Sequence, residues 1–477
     1  MEKVQKFGKE IFVYNLEAPL LDLYEVNYEM GSGAFSKIYE VRNKKTGEIR
    51  ACKYTSKKEF NDSDIEKFRK EIEILQKSDH PNIIKLYEVL ETPNSFYLIM
   101  EKCNGGNLFY KIEQRMKTKK LFDEKILSEV IRQIASAIQY LHDIGICHRD
   151  IKPENICFLN LGDMENNIVK IIDFGLGKIL DIGDINNKLK SLVGSVIYMA
   201  PEVLQNQYNE KCDIWSLGVI LYFFIAGHPP FFGQNDSETK YKILSMKYDK
   251  LEGEKWSNVS EEIKDLINHI LVKEEDRYSA QDILNHKWIK KQKIFPINSE
   301  DRIKQFKIYQ KMDNFEKKII MFIATRLNEN EIKNIKNFFD AFDNNNDGRI
   351  SFEEFYNGVL KISKDIKKED IEKMFQTIDT NEDGRIEYTE FIAACINENL
   401  YLEKKRLLEI YQAIDKKLTG RISKDNIKSA PQLDKECYQK FEDLMNELYK
   451  DNDGTIDFEQ FIKMISLIIS NTLNKKN

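Results

Sequence analysis

The pattern of hydrophobic and polar residues changes character near residue 290. Before that point, short apolar runs of β-like composition, such as residues 96–100, come first, and helical spacing of apolar residues dominates after Glu124. After it, strand signals almost disappear, and apolar helical faces alternate with loops rich in Asp, Asn and Gly. The pattern therefore predicts a mixed α and β unit followed by an all-helical unit.

The loops of the second unit repeat at a nearly constant spacing. Their glycines stand at positions 348, 384, 420 and 454. The intervals are 36, 36 and 34 residues, and an isoleucine follows each glycine two residues later. A fixed period of this size indicates one supersecondary unit copied several times. We therefore expect four helix-loop-helix units, over residues 328–363, 364–399, 400–435 and 436–472.

Residues 290–327 join the two units without a linker rich in Gly, Ser or Pro. Within this junction, apolar positions are interspersed with lysines: Ile303, Phe306, Met312, Phe315, Ile319, Ile320 and Phe322 with Lys304, Lys307, Lys311, Lys317 and Lys318. A basic amphipathic segment of this kind suits the apolar groove of a helix pair. A linker helix packed on the first unit is an alternative that does not exclude this interpretation.

Composition narrows the functional classes. The 477 residues are 42% hydrophobic and 32% charged, and a net charge of −6 argues against a nucleic-acid binder. The seven cysteines are scattered and form no CxxC pair, which predicts a reducing compartment, no disulfide framework and no structural zinc site.

The chain also lacks evident membrane signals. The apolar run 214–227 is shorter than the roughly 20 residues that span a bilayer, and we expect it to form a buried core helix. Residues 1–20 do not resemble a signal peptide, and Glu2 stands where myristoylation requires glycine. These features predict a cytoplasmic protein without a membrane anchor, with the nucleus as the alternative.

Several motifs of the first unit suit a site for nucleotide phosphates. Residues 31–38 read GSGAFSKI, and glycines at such a place let the backbone approach phosphate groups. When this loop is considered alone, an ordinary glycine turn explains it equally well, because Ser36 replaces the third glycine of the usual pattern. Lys53, in the sequence ACK, and Glu71, within the helical stretch 65–76, could form a pair.

The strongest signal is HRDIKPEN at residues 148–155, followed by DFG at 173–175 and APE at 200–202. The order and spacing of these motifs resemble the protein-kinase signature set. The lysine two residues after Asp150 is typical of serine/threonine kinases. The resemblance implies an α+β bilobal protein-kinase fold over residues 24–289, after an N-terminal extension of residues 1–23.

The resemblance also implies roles in phosphoryl transfer, which depends on positioning and on neutralisation of charge. Asp150 would orient the substrate hydroxyl and accept its proton, Lys152 would stabilise the transferred group, and Asn155 and Asp173 would hold Mg²⁺. The positions implied in catalysis are Asp150, Lys152, Asn155, Asp173, Lys53 and Glu71. The positions implied in ATP binding are Gly31, Ser32, Gly33, Ala34, Phe35, Ser36, Ile38, Ala51, Lys53, Met100, Glu101, Cys103, Asn107, Glu154, Asn155 and Asp173.

One departure concerns substrate choice. Many kinases that prefer basic substrates carry Glu after the Gly-Gly of this region, whereas Gly105-Gly106 is followed here by Asn107. A neutral amide cannot form a charge-assisted bidentate pair with a substrate arginine. The preferred target sequence therefore stays open. A catalytically dead calcium-regulated scaffold is the alternative function.

Two loops of the second unit fit the EF-hand calcium pattern, at residues 343–354 and 379–390. Both place side-chain oxygens at positions 1, 3, 5 and 12 and glycine at position 6. The ligands are Asp343, Asn345, Asp347, Arg349 and Glu354 in the first loop, and Asp379, Asn381, Asp383, Arg385 and Glu390 in the second, with each arginine contributing its main-chain carbonyl. Such hard oxygen ligands favour Ca²⁺ over a soft metal.

The third and fourth loops lose ligands. Position 3 of the third loop is Lys417 and position 12 is Asn426, so we expect no binding there. The fourth loop has Tyr449 at position 1 and Gln460 at position 12. It keeps Asp451, Asp453 and Thr455, for which we expect weak calcium binding or none. The glycines and isoleucines persist, so both units should keep their fold.

A kinase domain, a junction and four EF-hand units in this order resemble the calcium-dependent protein kinases of plants and protists. The resemblance covers residues 24–472 and implies ATP, Mg²⁺ and Ca²⁺ as cofactors. It implies that residues 328–472 form an all-α, calmodulin-like EF-hand domain that binds the junction within the same chain. Calcium would then relieve autoinhibition of a monomeric kinase that acts on Ser/Thr of protein substrates. Regulation by separate calmodulin is an alternative that the two intact loops argue against.

Overall fold

The structure is a computed structural model. It describes residues 7–474 except for 34–35, 59, 119–122, 180–194, 250, 254–255, 291–298, 398–402, 416–418, 429, 431–434 and 449–453. Ala34, Phe35, Asp451 and Asp453 therefore lie outside the described residues. Within the described part, no helix has the length and apolarity that crossing a membrane requires.

The first lobe is built on a six-stranded sheet in the order β1-β5-β6-β4-β3-β2. The strands are β1 (Tyr14–Leu16), β2 (Tyr24–Ser32), β3 (Ser36–Asn43), β4 (Ile49–Ser56), β5 (Leu86–Thr92) and β6 (Ser95–Met100). All neighbours are antiparallel except β1, which pairs in parallel with β5. Strand β1 belongs to the N-terminal extension, to which the sequence pattern assigned no structure.

One long helix, Asp62–Lys77, packs on this sheet and positions Glu71. The side chain of Asn61 caps its first turn by accepting a hydrogen bond from the amide of Asp64 at 3.0 Å. Phe68 lies 4.9 Å from Phe96 of β6, measured between ring centroids. The helix therefore presents its apolar face, and Glu71 with it, to the sheet.

The second lobe is mainly helical and includes the expected core helix. Its helices are Leu108–Thr118, Glu124–Asp143, Pro201–Leu204, Lys211–Ala226, Asp236–Leu244, Glu261–Ile270 and Ala280–Asn285. Its short strands are Ile146–Cys147, paired with Lys178–Ile179, and Ile156–Phe158, paired with Val169–Ile171. Helix Lys211–Ala226 is buried along most of its length and ends at Gly227, whose φ of 77° suits glycine.

The junction forms two helices, Ser299–Gln310 and Asn314–Arg326. They are separated because Asp313 starts a new helix. Its carboxylate accepts from the amide of Glu316, whose carboxylate accepts from the amide of Asp313 in return. The sequence pattern placed one amphipathic segment across this break.

The EF-hand domain contains helices Lys333–Phe342, Phe352–Ile362, Lys368–Ile378, Tyr388–Cys395, Lys404–Ile414, Lys424–Lys428, Lys435–Leu448 and Phe458–Asn474. In each pair of units the two loops meet in a short antiparallel ladder, where Ile350 faces Ile386 and Ile422 faces Ile456. These are the isoleucines that recur in the sequence, and their pairing explains why they persist in the two loops that lost calcium ligands.

The first calcium loop packs directly on the second kinase lobe. Arg349 lies 3.1 Å from the carboxylate of Asp143, and Arg132 donates to the side-chain oxygen of Asn346 at 3.2 Å. A side chain at Gly348 would collide with the ring of His80, and its φ of 80° also favours glycine. Glycine at position 6 thus serves both the turn and the contact with the kinase lobe.

The N-terminal extension crosses from the sheet to the second calcium loop. The amide of Phe7 donates to the carbonyl of Thr380 at 3.1 Å, and the Thr380 hydroxyl donates back to the carbonyl of Phe7 at 3.0 Å. Further along the extension, Arg326 of the second junction helix donates to the carbonyl of Phe12 at 2.9 Å. The extension therefore contacts both the junction and the EF-hand domain.

Candidate active site and metal loops

An ion-pair triad lies where the two kinase lobes meet. The Nζ atom of Lys53, in β4, is 2.5 Å from Oε1 of Glu71 and 3.2 Å from Oδ1 of Asp173. Burial disfavours the charged amine, but the two carboxylates outweigh it and raise the pKa of Lys53. Burial also opposes ionisation of Asp173, yet Lys53 lowers the pKa of that carboxyl. Burial raises the pKa of Glu71, and Lys53 opposes this effect. The triad therefore sets one amine between two carboxyl groups.

Asp150, the predicted acceptor of the substrate proton, lies within a second set of contacts. Oδ2 of Asp150 is 2.6 Å from Nζ of Lys152 and accepts a hydrogen bond from the side-chain amide of Asn155 at 2.9 Å. The Ser195 hydroxyl lies 3.5 Å from Nζ of Lys152. The structure thus brings together the aspartate, lysine and asparagine of the HRDIKPEN motif.

The loop that carries Asp150 is fixed by a buried carboxylate. Asp213 accepts hydrogen bonds from the backbone amides of His148 at 2.9 Å and Arg149 at 2.8 Å. Burial favours the neutral acid, but His142, 3.0 Å away, and the amide bonds outweigh it and lower the pKa of Asp213. Arg149 adopts a φ of 67°, a left-handed conformation that such anchoring maintains.

Two residues of the kinase motifs prove structural. His148 is fully buried with its ring 4.8 Å from that of Phe174, which agrees with a core histidine. Glu202 of the APE motif is paired with Arg277, including one bond of 3.0 Å from Nη2.

The glycine loop lies above a cavity of about 420 Å³ that Lys53, Glu71 and Asp173 line. Gly33 and Ser36 also line it, and the register of the sheet sets Gly31 opposite Ile38 and Ile38 opposite Lys53. The loop and the triad therefore enclose one space. Among the other predicted positions, Ser32 is exposed and Ala51 is buried.

The segment after β6 connects the two lobes. Met100 is buried at the end of β6, Glu101 is buried just beyond it, and Cys103 is half-buried. Asn107 uses its side-chain oxygen to accept from the amide of Tyr110 at 2.9 Å, capping the start of helix Leu108–Thr118. Glu154 is exposed beside the catalytic loop.

In the first calcium loop, acidic side chains converge on the loop interior. Oε1 of Glu354 accepts from the amides of Asn344 and Asn345 at 2.9 and 3.2 Å. Asp343 accepts from the amide of Gly348 at 3.1 Å, and Asp347 accepts from the side-chain amide of Asn345 at 2.8 Å. The first, third, fifth and twelfth positions therefore face one another.

The second loop repeats this arrangement. Oε1 of Glu390 accepts from the amides of Thr380 and Asn381 at 2.8 and 3.2 Å. Asp379 accepts from the amide of Gly384 at 3.0 Å, and Asp383 from that of Arg385 at 2.9 Å. In both loops the groups that could bind a metal ion are carboxylate and amide oxygens. Oxygen ligands of this kind fit Ca²⁺.

The third and fourth loops keep the fold with fewer anionic groups. In the third, Asn426 accepts from the amide of Ser423 at 2.9 Å, the bond that Glu354 makes to Ser351 in the first loop. In the fourth, Gln460 accepts from the amide of Asp457 at 2.9 Å. Thr455 lies in the strand that pairs with the third loop. An amide at position 12 thus closes the turn without supplying charge to a cation.

The first junction helix packs on the first two EF-hand units, and the second junction helix packs on both halves of the EF-hand domain. Phe306 of the first helix packs among Phe338, Phe355 and Phe391, with ring centroids 5.5 to 6.1 Å apart. Phe315 of the second helix packs against Phe441 at 6.2 Å. Phe306 and Phe315 of the amphipathic pattern therefore face EF-hand helices, whereas Phe322 packs against Phe12 and Tyr14 of the N-terminal extension.

Sequence reasoning missed the arginine contacts of the calcium loops. Arg385 was included only for its carbonyl, but its guanidinium is 2.7 Å from Oδ2 of Asp347 in the first loop. Arg349 likewise reaches Asp143 of the kinase lobe. The only sequence signal was that both loops carry arginine at position 7, a place where the side chain does not bind metal.

Comparison with known proteins agrees with this geometry. A protein kinase domain model matches residues 24–289, more than half of the chain, and an EF-hand domain pair model matches residues 332–396, which contain the first two loops. Calcium-dependent protein kinase 5 of Plasmodium falciparum (isolate 3D7) is 35% identical over 473 residues, which cover 96% of this chain and 80% of that protein.

Two further relatives carry the same description. Calcium-dependent protein kinase 29 of Arabidopsis thaliana is 35% identical over 461 residues, covering 94% of this chain and 84% of that protein. Calcium-dependent protein kinase 5 of Plasmodium berghei (strain Anka) is 38% identical over 343 residues, covering 70% of this chain and 59% of that protein.

Proposed function

The chain belongs to the calcium-dependent protein kinases, and we propose from this premise that it transfers the γ-phosphate of ATP to serine and threonine hydroxyls of protein substrates. The family resemblance and the fold class predicted from the sequence are both confirmed, and the chain is a calcium-activated protein kinase that uses ATP and Ca²⁺. The observation that carries the proposal is the convergence of Lys152 and Asn155 on the carboxylate of Asp150.

These contacts support a specific division of roles. The free carboxylate oxygen of Asp150 would accept the proton of a substrate hydroxyl, since phosphoryl transfer needs the nucleophile to be oriented. Lys152, 2.6 Å from that carboxylate, would also meet the transferred phosphoryl group. Serine/threonine specificity is supported by Lys152 itself, since a lysine two residues after the aspartate is typical of serine/threonine kinases.

Residues on either side of the cleft fit a nucleotide with its metal. Asp173 offers a carboxylate whose pKa is lowered, and Asn155 offers an amide oxygen, both of which suit Mg²⁺. When bound, magnesium neutralises charge on the phosphates. Lys53, held by Glu71, would contact the phosphates beneath the glycine loop, and the backbone after Met100 would bind the base.

Regulation would depend on the first two calcium loops. Asp343, Asp379 and their partner ligands would bind Ca²⁺, while the third and fourth loops would anchor the second junction helix without metal. The packing of Phe306 and Phe315 in separate halves of the EF-hand domain supports this division. Autoinhibition by the junction, a monomeric state and a cytoplasmic location stay predictions.

The decisive experiment measures phosphate transfer to serine, threonine and tyrosine peptides by the purified chain, with calcium and then with a chelator. We expect transfer to serine and threonine, strongly reduced by chelation. Transfer to tyrosine alone would contradict the proposed specificity, and equal rates with and without calcium would contradict the proposed regulation. Absence of transfer at saturating calcium would favour the scaffold alternative.

A further inference from the structure

Four buried charges form a cluster behind the segment that links the kinase lobes. Lys85 and Lys170 come from the kinase domain, as does Glu101, the residue after Met100. Glu329 comes from the start of the EF-hand domain and is fully buried, as is Lys170. The cluster therefore joins the two domains at the back of the predicted ATP site.

The distances show that Glu329 is shared by both lysines. Its Oε1 atom lies 3.3 Å from Nζ of Lys85 and 3.2 Å from Nζ of Lys170. Lys170 in turn lies 2.8 Å from Oε2 of Glu101. Each lysine thus pairs with a carboxylate of the EF-hand domain, and Glu101 is linked to that domain through Lys170.

A backbone contact ties the same lysine to the linking segment. The amide of Glu101 donates to the carbonyl of Lys85 at 2.9 Å, and Nζ of Lys85 donates to the carbonyl of Leu327 at 3.1 Å. A shift of Lys85 would therefore move the backbone at Glu101, which the proposed function assigns to the base of ATP.

The other oxygen of Glu329 contacts the second calcium unit. The hydroxyl of Tyr388 donates to Oε2 of Glu329 at 2.6 Å. Tyr388 begins the helix Tyr388–Cys395, which leaves the second calcium loop. A continuous set of contacts thus runs from that helix through Glu329 and Lys170 to Glu101.

Charge balance explains why Glu329 matters. With it, two ammonium groups face two carboxylates and the buried cluster is neutral. Without it, Glu101 is the one carboxylate among the described residues that pairs with these two buried lysines, and an uncompensated buried charge is costly. Burial by itself would favour neutral Glu329, but Lys170 and Lys85 outweigh it and lower the pKa of this carboxyl.

We propose that Glu329 is a positioning residue for ATP binding: from the EF-hand domain it neutralises Lys85 and Lys170 and so holds Glu101, and the segment that binds the base, in place. This inference rests on the proposed function, since it takes residues 100–103 as the base-binding segment. Glu329 acts through other residues and does not itself touch the nucleotide.

The test compares full-length variants at saturating calcium and peptide. For Glu329→Gln, which removes the charge and keeps a polar group for Tyr388, we expect KM for ATP to rise about threefold to tenfold, with kcat and KM for peptide within about twofold. The matched control is Glu331→Gln, two residues away, which removes a carboxylate paired with Arg406 and should leave KM for ATP unchanged.

A neutral double variant separates positioning from general loosening. Combining Glu329→Gln with Lys85→Met restores the charge balance and should bring KM for ATP back toward the parental value. A parental KM in Glu329→Gln, an equal rise in the control, or a raised KM in the double variant would each overturn the inference. If Glu329→Gln does not fold by itself, the KM for ATP of the double variant is the test: a parental value supports the inference, and a raised value overturns it.

Failure of the proposed function is a separate outcome. It would appear in the parent chain, as absence of calcium-stimulated transfer to serine or threonine. An active parent in which Glu329→Gln leaves KM for ATP unchanged would contradict only the inference.

Discussion

The guanidinium of Arg385, in the second calcium loop, lies 2.7 Å from the carboxylate of Asp347, a predicted calcium ligand of the first loop. Asp347 is nearly buried, whereas about a third of the Arg385 side chain is exposed. The two loops are therefore joined by an ion pair as well as by their short ladder. To bind calcium, Asp347 must either release Arg385 or contact the arginine and the cation together.

Arg385→Ala should tighten calcium binding at the first loop. The substitution frees Asp347 and removes a positive charge near the cation, and we expect about a twofold to fivefold lower Kd, as for a partly exposed pair. Titration calorimetry of the full chain measures this. Arg421→Ala is the matched control at position 7 of the third loop, where the arginine contacts Thr455. Weaker binding in Arg385→Ala would contradict the prediction.

Glu354→Gln together with Glu390→Gln should abolish calcium stimulation of the kinase. Each change removes the charge of the position 12 ligand and leaves a side chain of the same size. Phosphorylation of a peptide across a range of calcium concentrations checks this. The control is Asp451→Asn with Asp453→Asn in the fourth loop, and loss of stimulation there instead would contradict the assigned division between the loops.

The purified chain should bind two calcium ions with high affinity. The third loop has asparagine at position 12 and the fourth has glutamine, so neither supplies the bidentate carboxylate. Calorimetry or equilibrium dialysis gives the stoichiometry. A count of three or four tight sites would show that the second pair of units also senses calcium.

Asp150→Asn should lower kcat by about 100-fold to 10,000-fold, because the amide cannot accept the proton of the substrate hydroxyl. ATP binding should persist, since Lys53, Glu71 and Asp173 are untouched. Steady-state kinetics and nucleotide binding measure the two effects. Asp163→Asn, an exposed change in the same lobe, is the control and should keep parental kcat.

Arg326→Met should loosen the N-terminal extension. Arg326 is buried and donates to the carbonyls of Phe12 and Tyr87, both at 2.9 Å. Its loss leaves these carbonyls without that donor, and we expect the free energy of unfolding to fall by about 1–3 kcal/mol. Urea denaturation measures the change, and proteolysis should cleave the extension sooner. Lys311→Met, at an exposed position, is the control.

The sequence predicted best what is local. HRDIKPEN and the two intact calcium loops each occupy a few consecutive residues, and their chemistry fixes residue types at fixed spacing. The burial of residues 214–227 was predicted for the same reason, because a helix that is apolar on all sides is buried in a core.

Contacts between distant segments could not be predicted in this way. Strand β1 has three residues, too few for a pattern, and its partner β5 lies about seventy residues later in the chain. Glu329 is an ordinary acidic residue in the sequence, and its role appears only when Lys85 and Lys170 are brought next to it. The break at Asp313 was missed because the amphipathic pattern continues across it.

The parallel pairing of β1 with β5 also bears on the order in which the chain can fold. Residues 14–16 leave the ribosome well before residues 86–92, so β1 has no partner edge until the β5–β6 hairpin exists. The contact of Phe7 with Thr380 waits longer still, for the second EF-hand unit. A segment that is synthesised among the first should therefore be among the last to reach its native place, and refolding should show this docking as a late step.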